Sequence, residues 1–339
     1  MTAVQPTYAQ SCGPFAITFD LTQLAAANFG IDGAAGGETA ALVTLSLPSG
    51  THNLSVPSSS LAIVPFTVSC LGTLDFDPAL DSYVNGRGTS TLTVFGFPVT
   101  FDLTRLSAAG FNFFFALKVG TSTTAPVTLR LIPGTYDLQV PPASPSTIIS
   151  FSVSSSGAVD YDPALDRPVC GTPAPPTGYL CGRGTSALTV WGFPVTLDLT
   201  RLSAAIFNFF FSLKVAGDTS APVTLRLIPG TYVLQVPFSS PSTIVSFSVS
   251  NSGAVDYDPA LDRPVCQTPA PPTGYLCGRG TSTLTVWGFP VTLDLTGLSA
   301  AGFDFYFGLK VGGSSCAPAT LRLIPGLTIF ESRLPRALR

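Results

Sequence analysis

Apolar and polar residues alternate over short runs throughout the chain. In TIVSFSVS (residues 243–250), Ile244, Ser246 and Ser248 fall on one side and Val245, Phe247 and Val249 on the other. That period of two predicts a strand with one dry face. Similar runs predict about seven strands in the best-defined stretch: 186–191, 194–199, 207–215, 223–228, 232–236, 244–249 and 254–257. Gly192, the Pro229-Gly230 pair and Asn251-Ser252-Gly253 separate them and carry turn chemistry, so three hairpins are expected at these points.

The pattern repeats. Gly86 to Cys181 recurs with few substitutions from Gly182 to Cys277, and a third copy runs from Gly278 through Gly326. A divergent copy leads the chain, where FAITFDLTQL aligns with FPVTFDLTRL and DFDPALD with DYDPALD. This predicts an all-β chain of tandem immunoglobulin-like or transthyretin-like β-sandwich modules in an elongated array. Read from the repeat, the parts are a divergent first repeat (1–85), a second (86–166) and a third (182–262). Pro-rich loops or linkers follow at 167–181 and 263–277. An incomplete fourth repeat (278–326) and a non-repeat tail (327–339) close the series.

Composition agrees with strands. Glu occurs twice and Lys three times, while Gly (32) and Pro (31) supply turns. A hydrophobic share of 45% gives each repeat a core and argues against disorder. The net charge of -3 leaves no basic face for nucleic acid, and no apolar run is long enough to span a membrane as a helix. The first ten residues also lack the basic and apolar regions of a signal peptide.

At LIPGTYVLQV (227–236) the residues resemble the PGTY hairpin of carboxypeptidase-regulatory-like and Cna-B-type sandwiches. The resemblance covers about ten residues per copy. It departs upstream, where APVTLRL stands in place of the expected Asp/Gly-rich turn and aromatic strand. It implies a sandwich of the kind found as stalk modules on bacterial surfaces.

Seven cysteines occur. Cys170 with Cys181 and Cys266 with Cys277 bracket the Pro-rich loops, Cys12 and Cys70 form a third candidate pair, and Cys316 is odd. The spacing does not fit zinc, so disulfides and an oxidising, extracellular or cell-surface location are expected. The loop is absent from the first copy and reads either as a linker between modules or as an ornament on each, with the linker favoured.

The most repeated polar motif is DxDPALD: Asp75, Asp77 and Asp81; Asp160, Asp162 and Asp166; Asp256, Asp258 and Asp262. These are nine of the 19 acidic residues. Two readings compete. Three carboxylates could contribute to a calcium shell. Alternatively Asp162 turns the chain before Pro163 and Asp166 pairs with a repeat-fixed arginine such as Arg183. No other cofactor is expected.

Aromatic side chains offer contact surfaces. In FNFFFSLKV, Phe207, Phe209 and Phe211 share the face expected to fill the core, leaving Phe114, Phe210 and Tyr306 as a candidate partner row. Trp191 and Trp287 are candidates for the same role. Catalysis has little to work with: His52 is the only histidine, and Tyr136 and Tyr232 hold its place in later copies. The Asp cluster is the one place a carboxylate pair could act.

The leading expectation is a non-enzymatic extracellular structural repeat protein: a surface stalk, adhesin or filament subunit. It would associate with itself or with a cell-surface or matrix partner, and could polymerise by completing its unfinished last module. The alternative is an array of ligand-binding modules for glycan or protein.

Overall fold

The computed structural model describes residues 12–25, 28–39, 42–56, 62–107, 112–113, 124–140, 147–167, 170, 177–202, 206–209, 217–218, 220–236, 243–263, 274–294, 302–305, 312–313, 318–324 and 330–333. These are strands and turns, with no helix longer than a single 3-10 turn among the described residues.

The first unit contains β1 (Phe15–Asp20), β2 (Asn28–Ile31), β3 (Ala34–Glu38), β4 (Leu42–Leu47), β5 (Gly50–Ser55), β6 (Ile63–Val68), β7 (Leu74–Asp75), β8 (Val84–Asn85) and β9 (Thr91–Val94). They form two sheets, ordered β4-β1-β9-β8 and β3-β2-β5-β6-β7. Phe19 of the first sheet meets Phe29 and Phe66 of the second at ring-centroid distances of 6.1 and 5.8 Å. The alternation sends these rings to one side of each strand, so the two dry faces close on each other.

The second unit contains β10 (Phe97–Asp102), β11 (Asn112–Phe113), β12 (Val127–Leu131), β13 (Gly134–Val140), β14 (Thr147–Val153), β15 (Val159–Tyr161), β16 (Leu180–Cys181) and β17 (Ala187–Val190). The third contains β18 (Phe193–Arg201), β19 (Ile206–Phe209), β20 (Gly217–Asp218), β21 (Val223–Leu227), β22 (Gly230–Val236), β23 (Thr243–Val249), β24 (Val255–Asp256), β25 (Leu276–Cys277) and β26 (Thr283–Trp287). Both repeat the two-sheet plan, as β12-β10-β17-β16 with β11-β13-β14-β15, and as β21-β18-β26-β25 with β20-β19-β22-β23-β24. The fourth set is β27 (Phe289–Leu293), β28 (Gly302–Phe305), β29 (Gly312–Gly313), β30 (Ala319–Leu323) and β31 (Phe330–Arg333), paired as β27-β30 and β29-β28-β31.

Strands form at all seven stretches expected between 186 and 257, the third seen only over 206–209 because 210–215 lie outside the described residues, and β23 alternates as read: Ile244 is 55% exposed while Val245 is fully buried. Their pairing differs from expectation. The first strand of each unit lies between its antiparallel neighbour and a parallel strand from the unit's far end, as in β1 with β9, β10 with β17 and β18 with β26. The boundaries drawn after residues 85, 181 and 277 each fall between two strands of one sheet. The structural unit therefore begins at Phe15, Phe97, Phe193 or Phe289, out of phase with the most visible sequence repeat.

Of the three expected hairpins, only that between β23 and β24 forms. Gly192 joins consecutive units, and a Cβ on it would overlap the backbone of Arg226, so glycine lets the next unit approach closely. Pro229-Gly230 carries the chain from one sheet to the other. There Tyr232 is buried and its hydroxyl donates to the Ile228 carbonyl at 2.7 Å, while its ring stacks on Phe247. Tyr136 does the same with Ile132 and Phe151. The PGTY stretch is thus a tyrosine corner between sheets. In the first unit His52 fills this place. Its Nε2 donates to the Pro48 carbonyl at 3.0 Å, its ring lies against Phe66, and its Nδ1 faces the Asp32 carboxylate at 2.7 Å.

The Pro-rich loop is an insertion within a unit, because the chain returns from it into β16 and then β17 of the same sheet. Linking units is therefore not its role. The tail also corrects the reading: β31 pairs with β28 through Phe305↔Phe330 and Asp304↔Glu331, the register that β22 keeps with β19 in Phe209↔Leu234 and Asn208↔Gln235. A strand of different composition thus continues the repeat there.

Successive units share apolar contacts. One continuous cluster runs through the first two units and takes in Phe193 and Ile228 of the third, and Phe289 and Ile324 pack on the third unit's core. The backbone adds bonds: Ala25 N–H to the Arg130 carbonyl at 2.9 Å, and Ser107 N–H to the Arg226 carbonyl at 3.0 Å.

Tyr232→Phe should lower the third unit's stability by about 1–2 kcal/mol, because the buried Ile228 carbonyl loses its donor; denaturant unfolding measures this. Burial, the largest influence, pushes the Tyr136 and Tyr232 hydroxyls well above their ordinary value of 10.0. The unfolded chain ionises first, so the stability they contribute is intact below pH 10 and declines as pH rises beyond it. Burial would raise the Asp32 carboxyl, but the His52 hydrogen bond, the Asn53 N–H and the His52 charge together hold it below 3.8. Its contribution is present above that value and lost as pH falls. Melting temperature against pH should therefore drop at both ends.

Candidate functional site

The repeated carboxylates were the first site candidates, and the structure gives each a local partner. The first aspartate of each motif accepts from the next residue's N–H, as Asp75, Asp160 and Asp256 do from Phe76, Tyr161 and Tyr257. The second caps the 3-10 turn of the Pro-Ala-Leu segment: Asp77, Asp162 and Asp258 accept from Ala79, Ala164 and Ala260 at 2.8, 2.9 and 2.9 Å. The third pairs with the arginine of GRG: Asp81 with Arg87 at 2.7 Å, Asp166 with Arg183 at 3.4 Å and Asp262 with Arg279 at 3.6 Å.

Tyr161 and Tyr257 also donate their hydroxyls to Asp166 and Asp262, at 2.9 and 2.8 Å. Burial first, and that bond next, hold both phenol protons above their usual range. Phe76 occupies the same position in the first unit and lies under Arg87, with the guanidinium 4.9 Å from the ring centre. These contacts are the turn cap and ion pair expected of the motif. Among the described residues no three His, Cys, Asp or Glu side chains converge for a metal. The arginines are partly exposed, so each pair contributes at most about 1 kcal/mol. Shallow open grooves recur beside them, one along Asp160, Asp166 and Arg183 and another along Asp256, Asp262 and Arg279.

The arrangement that sequence reasoning missed lies at the junctions. Trp191 and Trp287 are each only 6% exposed, which removes them as surface contacts. The Arg105 and Arg167 guanidiniums both lie over the Trp191 ring, at 4.8 and 4.5 Å from its centre. Arg201 and Arg263 hold Trp287 in the same way at 4.9 and 4.4 Å. A guanidinium over an indole is attracted by the ring's π charge, most strongly where water is excluded. Arg167 and Arg263 are themselves buried. Burial, followed by the nearby Arg226 and Arg322 charges respectively, pulls their pKa values below the usual arginine range. Both indole N–H groups are buried with no hydrogen-bond partner among the described residues, a cost that the stacking must offset. The signal was present in the sequence as Trp recurring with Arg at fixed positions, but the residues are too far apart along the chain to be read as a group.

Cys12–Cys70 and Cys170–Cys181 are disulfides with Cα separations of 5.2 and 5.8 Å. Cys277 is disulfide-bonded as well, while Cys266 and Cys316 lie outside the described residues. So do Phe114, Phe210 and Tyr306, the candidate partner row. No helix among the described residues is long and apolar enough to cross a membrane.

Trp191→Ala should cost about 3–5 kcal/mol at the junction of the second and third units, because it removes a buried indole and opens a cavity beside the buried Arg167. Trp191→Phe, which restores the residue found at Phe95 in the first unit, should cost much less; calorimetry of both variants checks the order. No family model matches the chain, nor does any curated protein or solved structure.

Proposed function

We propose that this chain is a non-enzymatic extracellular structural repeat protein, of the kind that serves as a surface stalk, adhesin or filament subunit. The observation that carries this reading is the junction. Each unit meets the next through equivalent positions, as Ala25 with Arg130 and Ser107 with Arg226. A head-to-tail contact of that sort can be repeated without closing.

The polar groups that recur support the same reading, because they serve the fold. The motif aspartates cap turns and pair with arginines, and the single histidine has both ring nitrogens occupied by Asp32 and Pro48. A general base would need one nitrogen turned toward a substrate. Repeated disulfide-bonded cysteines favour an oxidising location. A protein of this kind would have itself, or a cell-surface or matrix component, as partner. The grooves beside Arg183 and Arg279 favour a second reading, in which the repeat displays a polar ligand site once per unit.

Duplicating residues 97–192 in place should lengthen the particle seen by electron microscopy by one unit's span, with thickness unchanged; a particle that grows equally in all directions would overturn the structural reading. A glycan array comparing the natural chain with Arg183→Ala/Arg279→Ala separates the second reading. A structural protein gives no hit that depends on the arginines.

A further inference from the structure

In three units the first strand receives a parallel neighbour of one type. Thr18, Phe19 and Asp20 face Thr91, Leu92 and Thr93; Thr100, Phe101 and Asp102 face Ala187, Leu188 and Thr189; Thr196, Leu197 and Asp198 face Thr283, Leu284 and Thr285. The seating is the same each time. The backbone N–H of Thr18, Thr100 and Thr196 donates at 2.9 Å to the carbonyl of Ser90, Ser186 and Ser282. The inserted leucines, Leu92, Leu188 and Leu284, are fully buried.

The fourth set has the receiving strand without this neighbour. β27 keeps its antiparallel partner β30 in the usual register, Thr292 opposite Thr320 and Val291 opposite Leu321. The threonine hydroxyls meet at 3.0 Å, as the equivalent pair does at 2.9 Å in the first and second units. On its other side no strand lies beside β27 among the described residues. Val291 is 38% exposed, whereas Val99 and Val195 at the same position are fully buried. Because Thr292 shares the register of Thr18, Thr100 and Thr196, its N–H points to the unpaired side.

We propose that β27 is an acceptor edge for a parallel strand of the GRGTSTLTVW type, supplied by a further copy of this repeat, with Thr292 opposite the residue before the leucine. The occupant is defined by three filled examples in the same molecule. Each of those three strands is already paired within its own unit, so the donor is an additional copy. An open edge of this sort templates strand addition: the backbone supplies affinity, and alternate side-chain slots supply selectivity. The last set therefore requires one strand on the β27 side, whereas its other sheet already has β31 in the place that β13 and β22 hold elsewhere. This deepens the structural reading and rests on it only for what the added strand accomplishes.

The test adds a fluorescent peptide, residues 278–287 of the chain, to the intact protein. Saturable one-to-one binding is expected by anisotropy, with hydrogen-exchange protection appearing at 289–293. A peptide of the same composition in reversed order should bind at least about tenfold more weakly, because the edge selects direction as well as side chains. Thr292→Pro removes the outward N–H and leaves the backbone bonds to β30 in place, giving up only the exposed hydroxyl contact with Thr320, since proline is tolerated where a strand's N–H faces solvent. It should abolish binding with only a small fall in melting temperature, the hydroxyl pair it removes being exposed. Should that variant unfold, Val291→Lys tests the same edge through an exposed side chain, with the same loss of binding expected. Absence of binding, equal binding of the reversed peptide, or undiminished binding to a folded edge variant would overturn the proposal. None of these outcomes depends on particle length, so the proposal and the structural reading can fail separately.

Discussion

The parallel pairing between the first strand of a unit and the strand at its far end is the constraint on which the rest depends. Parallel neighbours cannot be joined by a tight turn; the chain must leave and return. Here the return path is the whole unit, including the second sheet that covers the core. Closing β10 on β17 makes the segment Phe97 to Val190 one body. It also delivers the chain, after only Trp191 and Gly192, to the start of the next first strand at Phe193. Unit closure and unit linkage are thus consequences of one strand pairing.

That economy explains why the junctions are tight. With so short a passage from β17 to β18, the new unit must sit directly against the old one. The sequence accommodates this at chosen points: glycine at 192 where a side chain would meet the Arg226 backbone, and apolar Phe193 and Ile228 where the new unit enters the existing core. Buried apolar surface at a junction stabilises the pair of units beyond either one alone, the nearest-neighbour coupling expected of repeat proteins. The Cys12–Cys70 bridge supports the first unit differently. It ties the segment ahead of β1 to the turn after β6, at the position that Val94 holds relative to β10.

Much of the fold was legible because alternation is a local signal. The strand at 243–249 needed only its own residues to declare its faces, and the role of Asp162 before Pro163 followed from turn chemistry. Pairing between sheets was not legible. Gly192 and Pro229-Gly230 look like hairpin turns, yet a turn residue states only that the chain bends and leaves open which strand lies beyond the bend. The phase of the unit was hidden for the same reason. GRGTSTLTVW and FPVTLDLT are adjacent in sequence and similarly preserved among copies, but the first ends one unit and the second begins another. His52 was readable as the occupant of a tyrosine position, and the structure supplies the reason, a hydrogen bond to the carbonyl four residues back. The cap of Asp162 on Ala164 and the pairing of Asp166 with Arg183 were expected from the motif, whereas the Tyr161 hydroxyl bond to Asp166 became visible only in the geometry. The tryptophan clamp draws on three separated segments and had no local signature.

The clamp also ties together features that look independent. The first unit has Gln23 where later units have Arg105 and Arg201, lacks the Pro-rich insertion, and is followed by Phe95 in place of tryptophan. Three differences at separate positions would be coincidence if each served its own purpose. In space they are one arrangement, because the insertion carries Arg167 over the Trp191 ring and the loop after β10 brings Arg105 over it as well. The Cys170–Cys181 disulfide then has a task in the fold: it closes the insertion three residues beyond Arg167 onto β16, whose neighbour β17 leads into Trp191. A long cation held near an indole loses conformational freedom, and fixing its backbone in advance reduces that loss. Gly297 stands where Arg105 and Arg201 stand in the second and third units, in the set whose parallel strand is missing among the described residues. In the second and third units the arginine meets the tryptophan that follows the parallel strand, so the pairing that closes a unit also brings the two together.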